Sequence, residues 1–507
     1  MSGEEPEDRT GAPDAADGGG HADDAADVVR RERFSGGPAR GFLSSLDADE
    51  RIFEADLAVD RAHVVMLAEG GIIDEDSAGE VLAALAEVED AGHAALPDGE
   101  DVHAAIETAV VDRVGEVGGR MHTARSRNDE VATCLRYSLR EDLLETVERT
   151  LELREVLCGV AAGHSHTVMP GFTHLQPAQP TTVGHYLLSY ESSLRRDTGR
   201  LLDAYDRTNR SPLGAAAFAG TTFDVDRERT AELLGFDGVV ENSMDASSAR
   251  DFLVEATAAV ASLATGLSGI AEDLVIFSNR GLVELDDDYA STSSIMPQKV
   301  NPDTMELVRA TAGDAAAGLN GLLTTLKGLP RAYNRDLQRA HGHAFDAVDA
   351  VAEATGVVAG AVATAEWPEA ALAAAAGGGF STATGVADLL AASGVPFRTA
   401  HEMVAHAAEA VEAGGAADYA ALDAAAREVL GEPLEANVDP DAVERALGPA
   451  ESVASRDSFG GPAPDAVADA LDRAADEHEA DAGALADRRE ALADAADRLA
   501  YEVSRYV

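Results

Sequence analysis

Five long runs of helical periodicity set the limits on what this chain can become. They cover about residues 129–164, 181–209, 245–280, 303–326 and 338–365. Several exceed the length of an ordinary globular helix, which points to a bundle or to a coiled seam between chains. Within the third run, residues 256–264 are small and apolar nearly all round, the pattern of a helix buried on every side. Five helices of one chain cannot easily cover it, so the sequence predicts subunit association. No alternating strand pattern stands out in this region. The expected fold class is all-α.

The flanking segments differ in character. Residues 1–27 are acidic and rich in Gly and Ala without periodicity, which reads as a disordered tail. Residues 33–38 form a turn-rich lead-in. Residues 28–121 are expected to form a small helical domain: Ile52, Ala55, Val59, Ala62 and Met66 recur at three and four, and a second helix follows Asp74-Glu75-Asp76. Residues 122–366 form the bundle domain. From 367 to 507 short alanine-rich helices alternate with Gly and Pro breaks, then give way to one or two long acidic helices in a third domain. Trp367, the only tryptophan, reads as a packing residue at the joint.

Charge narrows the partners. With 92 acidic against 39 basic residues and a net charge of −53, the chain would repel nucleic acid and anionic membrane. The acidity is spread along the chain, and only two basic residues are lysines, Lys299 and Lys327. Such a surface suits high salt, where screening tames self-repulsion. An acidic disordered protein is excluded by a 46% hydrophobic content. Cys134 and Cys158 are too few for a disulfide framework. There is no secretory h-region, and no apolar run reaches membrane-spanning length, so a reducing cytoplasm is expected.

Four motifs carry chemistry. In 291–302, STSSIMPQKVNP, small hydroxyl residues and Lys299 precede a helix, with Asn301 a good N-cap, Pro302 suited to the first turn, and Asp303 and Glu306 at the positive end of the dipole. In 122–129, HTARSRND, two arginines and an amide suit carboxylates, and Asn128 or Asp129 could cap the helix that follows. His103, just upstream in EDVH, reads as structural. In 171–180, GFTHLQPAQP, His174 is the best acid–base candidate, since histidine titrates near neutrality and prolines restrict its loop. In 331–338, RAYNRDLQ, a connector carries an unusually dense polar set; Arg250 opens the third run as a further carboxylate contact. No zinc-type spacing is present, and no metal is expected.

The 291–302 stretch resembles the signature of the fumarase/aspartase superfamily, with Thr292 in the usual glycine position. The other motifs are similar to the argininosuccinate lyase family within it, from about Arg33 to Gly461. That resemblance implies an all-α homotetramer whose long helices pack into one central bundle, five from each of four subunits, with each active site drawn from three chains. It implies reversible cleavage of argininosuccinate to arginine and fumarate, the closing step of arginine biosynthesis, with no cofactor. Position by position, it implies Ser293 as base, His174 as acid–base group, Glu306 as the carboxylate paired with it, and Lys299 and Asn301 as holders of the succinyl carboxylates. Ser45, Asp49, Arg125, Asn128, Thr173, Arg250, Tyr333 and Gln338 match substrate-binding positions. Glu130 stands where many relatives have glutamine, and His341 where many have a substrate-binding lysine. Adenylosuccinate lyase, or a non-catalytic structural protein on the same fold, are the alternatives.

Overall fold

The computed structural model describes residues 39–507 except residue 413. The expected acidic tail (1–27) and the lead-in (33–38) lie outside the described residues. Five helices match the five runs closely: Arg127–Gly163, Val183–Thr208, Asp251–Asn279, Asp303–Leu326 and Ala340–Thr364. We call them the first to fifth bundle helices. The first packs on the second and the fifth, the third on the second, and the fourth on the third and the fifth. Their meeting faces supply most of one large core, including Leu139, Leu153, Leu194, Leu263 and Val351.

Local signals explain the boundaries, with two corrections. The first bundle helix is capped by Ser126, not by Asn128 or Asp129: the Ser126 side chain accepts from the Asn128 backbone N–H, and Asp129 accepts from the Ser126 N–H at 2.9 Å, closing a capping box. Asn301 does not cap the fourth helix either. It lies in a two-residue strand, Val300–Asn301, paired with Ser291–Thr292, and Pro302 precedes the helix without a side-chain cap. Thr292 therefore sits in extended backbone, where a side chain costs nothing, and the signature loop needs no glycine there.

A hairpin also appears where no strand pattern was read. Val168–Thr173 pairs antiparallel with Gln176–Thr182, with an irregularity between Pro170 and Phe172. Three prolines and a glycine hide any alternation in the sequence. At its tip His174 and Leu175 both have positive φ, 57° and 58°. This is strained for non-glycine residues and fixes where the His174 side chain departs from the backbone.

Three helices of the N-terminal part, Phe53–Glu69, Glu75–Ala91 and Val102–Val114, pack together and join the same core. Residues 386–443 form a second, separate core. The tail helix, Pro464–Val503, contributes none of the residues of this second core. It lies along the first and second bundle helices instead, where Arg154, with its side chain fully buried, meets Glu191 at 3.1 Å and the tail's Asp481 at 2.6 Å. Trp367 is buried, 6.1 Å from the Tyr186 ring at the bundle end.

The bundle leaves apolar side chains open to solvent in this chain. The fourth helix buries only Met305, Val308, Ala315 and Leu322, leaving Leu307 71% and Leu323 48% exposed. In the third, Ala258, within the small apolar 256–264 patch, and Thr265, directly after it, both face out. Segments Asp251–Asn279 and Arg335–Thr364 are in fact long and apolar enough to cross a membrane by length and composition. About half of the most apolar stretch of each is buried in this chain. An unsatisfied packing face between helices accounts for such composition as well as a bilayer does.

Candidate active site

A cavity of about 530 Å³ opens where the N-terminal helices meet the first bundle helix and the 331–339 connector. It gathers Ser45, Asp49, Asn128, Arg250, Tyr333 and Gln338, six of the expected substrate positions. Three of them form a chain of hydrogen bonds. Gln338 donates to the Ser45 hydroxyl at 2.9 Å, and Ser45 donates to Asp49 at 2.7 Å. The Asn128 amide donates to the Ala217 carbonyl, tethering the 212–222 loop. Asp129 does the same from below, accepting from Gly214 and Ala216 N–H at 2.9 and 2.8 Å.

Arg125 is not among the cavity residues. Its side chain is 1% exposed, pairing with Asp60 at 2.5 Å and Glu130 at 2.9 Å beneath the cavity. Arg127 takes the place expected of it. It lines the cavity, held by Asp101 at 2.7 Å and Glu100 at 3.5 Å. The cap decides between them: the residue before Ser126 turns into the protein, and the residue after it begins the helix on the cavity side. The sequence motif contained both arginines but no signal to rank them. Arg335, which pairs with Glu100, was also missed as a cavity residue.

The layer beneath the cavity is a closed set of charges. Burial pushes the Glu130 carboxyl well up, with the Arg125 guanidinium opposing it. Although burial opposes it, His103 holds the Asp56 carboxyl below its ordinary range. Asp56 and Asp60 offset Arg125 and protonated His103. Asp56, His103 and Cys134, and likewise Asp56, Asp60 and Glu130, come close enough to share a metal ion. These groups are already engaged with one another: Arg125 sits on two of the carboxylates, and the Cys134 thiol, pushed well up by burial, donates to Asp56 at 3.3 Å.

The remaining expected residues lie elsewhere. His174 borders a second cavity of about 500 Å³, lined by Phe172, Tyr186, Tyr190 and Phe277, while Thr173 is exposed beside it. Ser293, Lys299, Asn301 and Glu306 belong to the signature loop and the start of the fourth helix, and line neither of these two cavities. No ion pair joins His174 to Glu306 among the described residues of one chain. The Ser293 hydroxyl oxygen accepts backbone N–H groups from Ile295 at 3.3 Å and Met296 at 3.1 Å. Two donors aimed at one oxygen favour its anionic form. Burial, with Arg250 nearby, pushes His341 down to about 4, so it is neutral and supplies no charge in place of lysine.

The comparisons with known proteins agree with one another. A family described as Lyase matches residues 43–316, and one described as Argininosuccinate lyase C-terminal matches 380–454. An argininosuccinate lyase of Natronomonas pharaonis is 74% identical over 96% of this chain and 98% of its own length. One of Halobacterium salinarum is 67% identical over 95% and 99%. Among solved structures, an EDDS lyase in complex with formate is 35% identical, with a TM-score of 0.84 over 93% of this chain and 96% of that one. A fumarate lyase from Mesorhizobium, at 20% identity and a TM-score of 0.69, shares the fold.

Proposed function

Because this chain belongs to the argininosuccinate lyase family of the fumarase/aspartase superfamily, a family of carbon–nitrogen lyases that split argininosuccinate into arginine and fumarate, we propose how its own residues divide that work. One observation carries the proposal. Within a single chain the candidate residues fall into three separate places: the first cavity, the hairpin tip and the signature loop. The fourth helix, which carries part of the third group, also leaves its apolar face open. A homotetramer in which three chains meet at each site accounts for both facts. The three-part division of the chain, with the tail helix moved to the bundle, is part of the same reading, as is a cytoplasmic setting.

In this scheme Ser293 removes the carbon-bound proton beside a succinyl carboxylate. The step builds a second negative charge on that group, and the carboxylate itself is the electron sink, so no cofactor is required. Lys299 and Asn301 hold the succinyl carboxylates, and positive potential at the start of the fourth helix adds to theirs. The backbone N–H groups at Ser293 lower the cost of its alkoxide, and loop closure excludes water. His174, oriented by Glu306 of an adjoining subunit, protonates the departing guanidinium nitrogen. The first cavity holds the arginine half through Ser45, Asp49, Asn128, Tyr333 and Gln338, with Thr173 supplied from a hairpin. Arg250 and Arg127 furnish its positive charge, and Arg125 braces the wall behind them.

The direct test is fumarate absorbance on adding argininosuccinate in concentrated salt; an enzyme that forms none overturns the assignment. In dilute buffer the charge of −53 should drive subunits apart. Below about 0.1 M salt, where the screening length exceeds roughly 10 Å, activity and tetramer content should fall together. A stable, active tetramer in dilute buffer contradicts this. Sites built from three chains also predict complementation. Asn128→Ala and Ser293→Ala chains, each inactive alone, should regain partial activity when refolded together, because some mixed sites are intact. Proven mixing without recovery would sink the shared site.

The two lysines should behave differently. Lys299→Arg keeps the charge but replaces a compact ammonium with a planar, bulkier group in the catalytic loop, so most of kcat should be lost. Lys327 follows the fourth helix and donates to the Thr324 carbonyl at 3.4 Å. There a cation complements the helix end, worth about 0.3–1 kcal/mol, and Lys327→Arg should stay near wild type. Equal activity in the two variants would remove Lys299 from the mechanism.

A further inference from the structure

One buried group at the first cavity has no part in this scheme. His103 lines the cavity, with Nδ1 2.8 Å from Asp56 and 3.8 Å from Glu130. Its other ring nitrogen, Nε2, is shielded from solvent and has no hydrogen-bond partner. An unpaired buried donor is costly, and such groups mark places where a ligand completes the bonding. Arg250 Nε and His341 Nδ1, also at this cavity, are orphaned in the same way.

The two histidines differ in charge. Burial pulls the proton from His341. At His103 burial works in the same direction, but Asp56 and Glu130 outweigh it and push its pKa up to about 10. Asp101 adds to the negative field, Asp49 and Asp60 also face it, and Arg125 lies behind. His103 is thus an imidazolium whose Nδ1–H donates to Asp56, leaving Nε2–H unused. Asp49 is its acidic neighbour: it accepts at 3.3 Å from the N–H of Val102, the residue before His103, and the His103 charge opposes the burial that pushes the Asp49 carboxyl up. A cation and an anion side by side are the complement of an amino-acid zwitterion.

We propose that His103, clamped by Asp56, is a further substrate-binding residue that takes the α-carboxylate of the arginine half, with Asp49 receiving the α-ammonium beside it. The inference rests on the lyase reading above, which gives the succinyl carboxylates to Lys299 and Asn301 and leaves the first cavity for the arginine end.

Inhibition of the wild-type enzyme in concentrated salt by arginine, and by agmatine, which lacks the carboxylate, tests it. Agmatine should bind about tenfold more weakly or worse. Equal binding overturns the proposal without need of any variant. His103→Gln keeps an N–H and loses the charge. It should erase about tenfold of arginine's advantage over agmatine and raise the KM for argininosuccinate more than it lowers kcat, with fumarate inhibition unchanged. Parallel weakening of arginine, agmatine and fumarate is the mark of a merely structural histidine, and it overturns the proposal, as does an advantage left intact. If the variant does not fold, the wild-type comparison still decides. A wild-type enzyme that makes no fumarate refutes the lyase reading, whereas an active one indifferent to the carboxylate refutes His103 alone.

Discussion

Ser293→Ala should lower kcat by about 10²–10⁴-fold, the range for removing a positioned acid or base, while KM changes little. The hydroxyl oxygen is the convergence point of the Ile295 and Met296 N–H groups. With Ser293 as the base, the variant keeps those donors but loses the proposed acceptor of the substrate's proton. The neighbouring Ser294 is exposed and provides the control. Ser294→Ala keeps the loop's polarity nearly unchanged and should turn over at close to the wild-type rate. Steady-state kinetics with argininosuccinate in concentrated salt compare the two directly. A Ser293→Ala enzyme with near-native kcat would mean the base lies elsewhere, and the loop's donors would then need another explanation.

Arg125→Ala should act on stability rather than on binding, with a loss of about 3–5 kcal/mol, the usual result of breaking a buried ion pair from one side. The guanidinium is the partner of Asp60 and Glu130, and it also favours ionised Asp56. Its removal leaves those acids buried with His103 as the remaining cation. Arg127→Ala is the contrast. Its partner Asp101 lines the cavity, its other partner Glu100 is buried but keeps Arg335, and its own side chain is 28% exposed. Its stability cost should be below about 1 kcal/mol, while the KM rises. Denaturant midpoints and KM measured side by side separate the two arginines. A stable Arg125→Ala enzyme with only a raised KM would return Arg125 to the substrate.

This pair also shows where reading the sequence stops. Helix lengths follow from local periodicity, and the five bundle helices appear within a few residues of where the periodicity puts them. The two arginines of HTARSRND are two positions apart, yet one is buried beneath the cavity and the other lines it. What divides them is the capping box at Ser126, a backbone geometry that composition does not rank. The 168–182 hairpin escaped notice because its prolines and glycine replace the alternation by which strands are recognised. His103 looked structural because its partner Asp56 lies far off in sequence, on another helix. The motifs of the signature loop and the hairpin tip were legible as motifs. Within one chain they stand apart, and local motifs carry no signal for that separation.

The tail helix has a consequence for how the chain is made. Arg154 and Asp481, like His478 and the Leu151 carbonyl, are joined across 327 residues of sequence. Beyond them Glu502 meets Arg229, which also grips Glu69 near the start of the described chain. During synthesis the first and second bundle helices emerge long before the segment that covers them. Until residues 464–503 leave the ribosome, Arg154 lacks one of its two acidic partners and an apolar strip of both helices stays open to water. Any subunit assembly should therefore wait until residues 464–503 have emerged, and a ribosome stalled before residue 464 should hold a chaperone substrate.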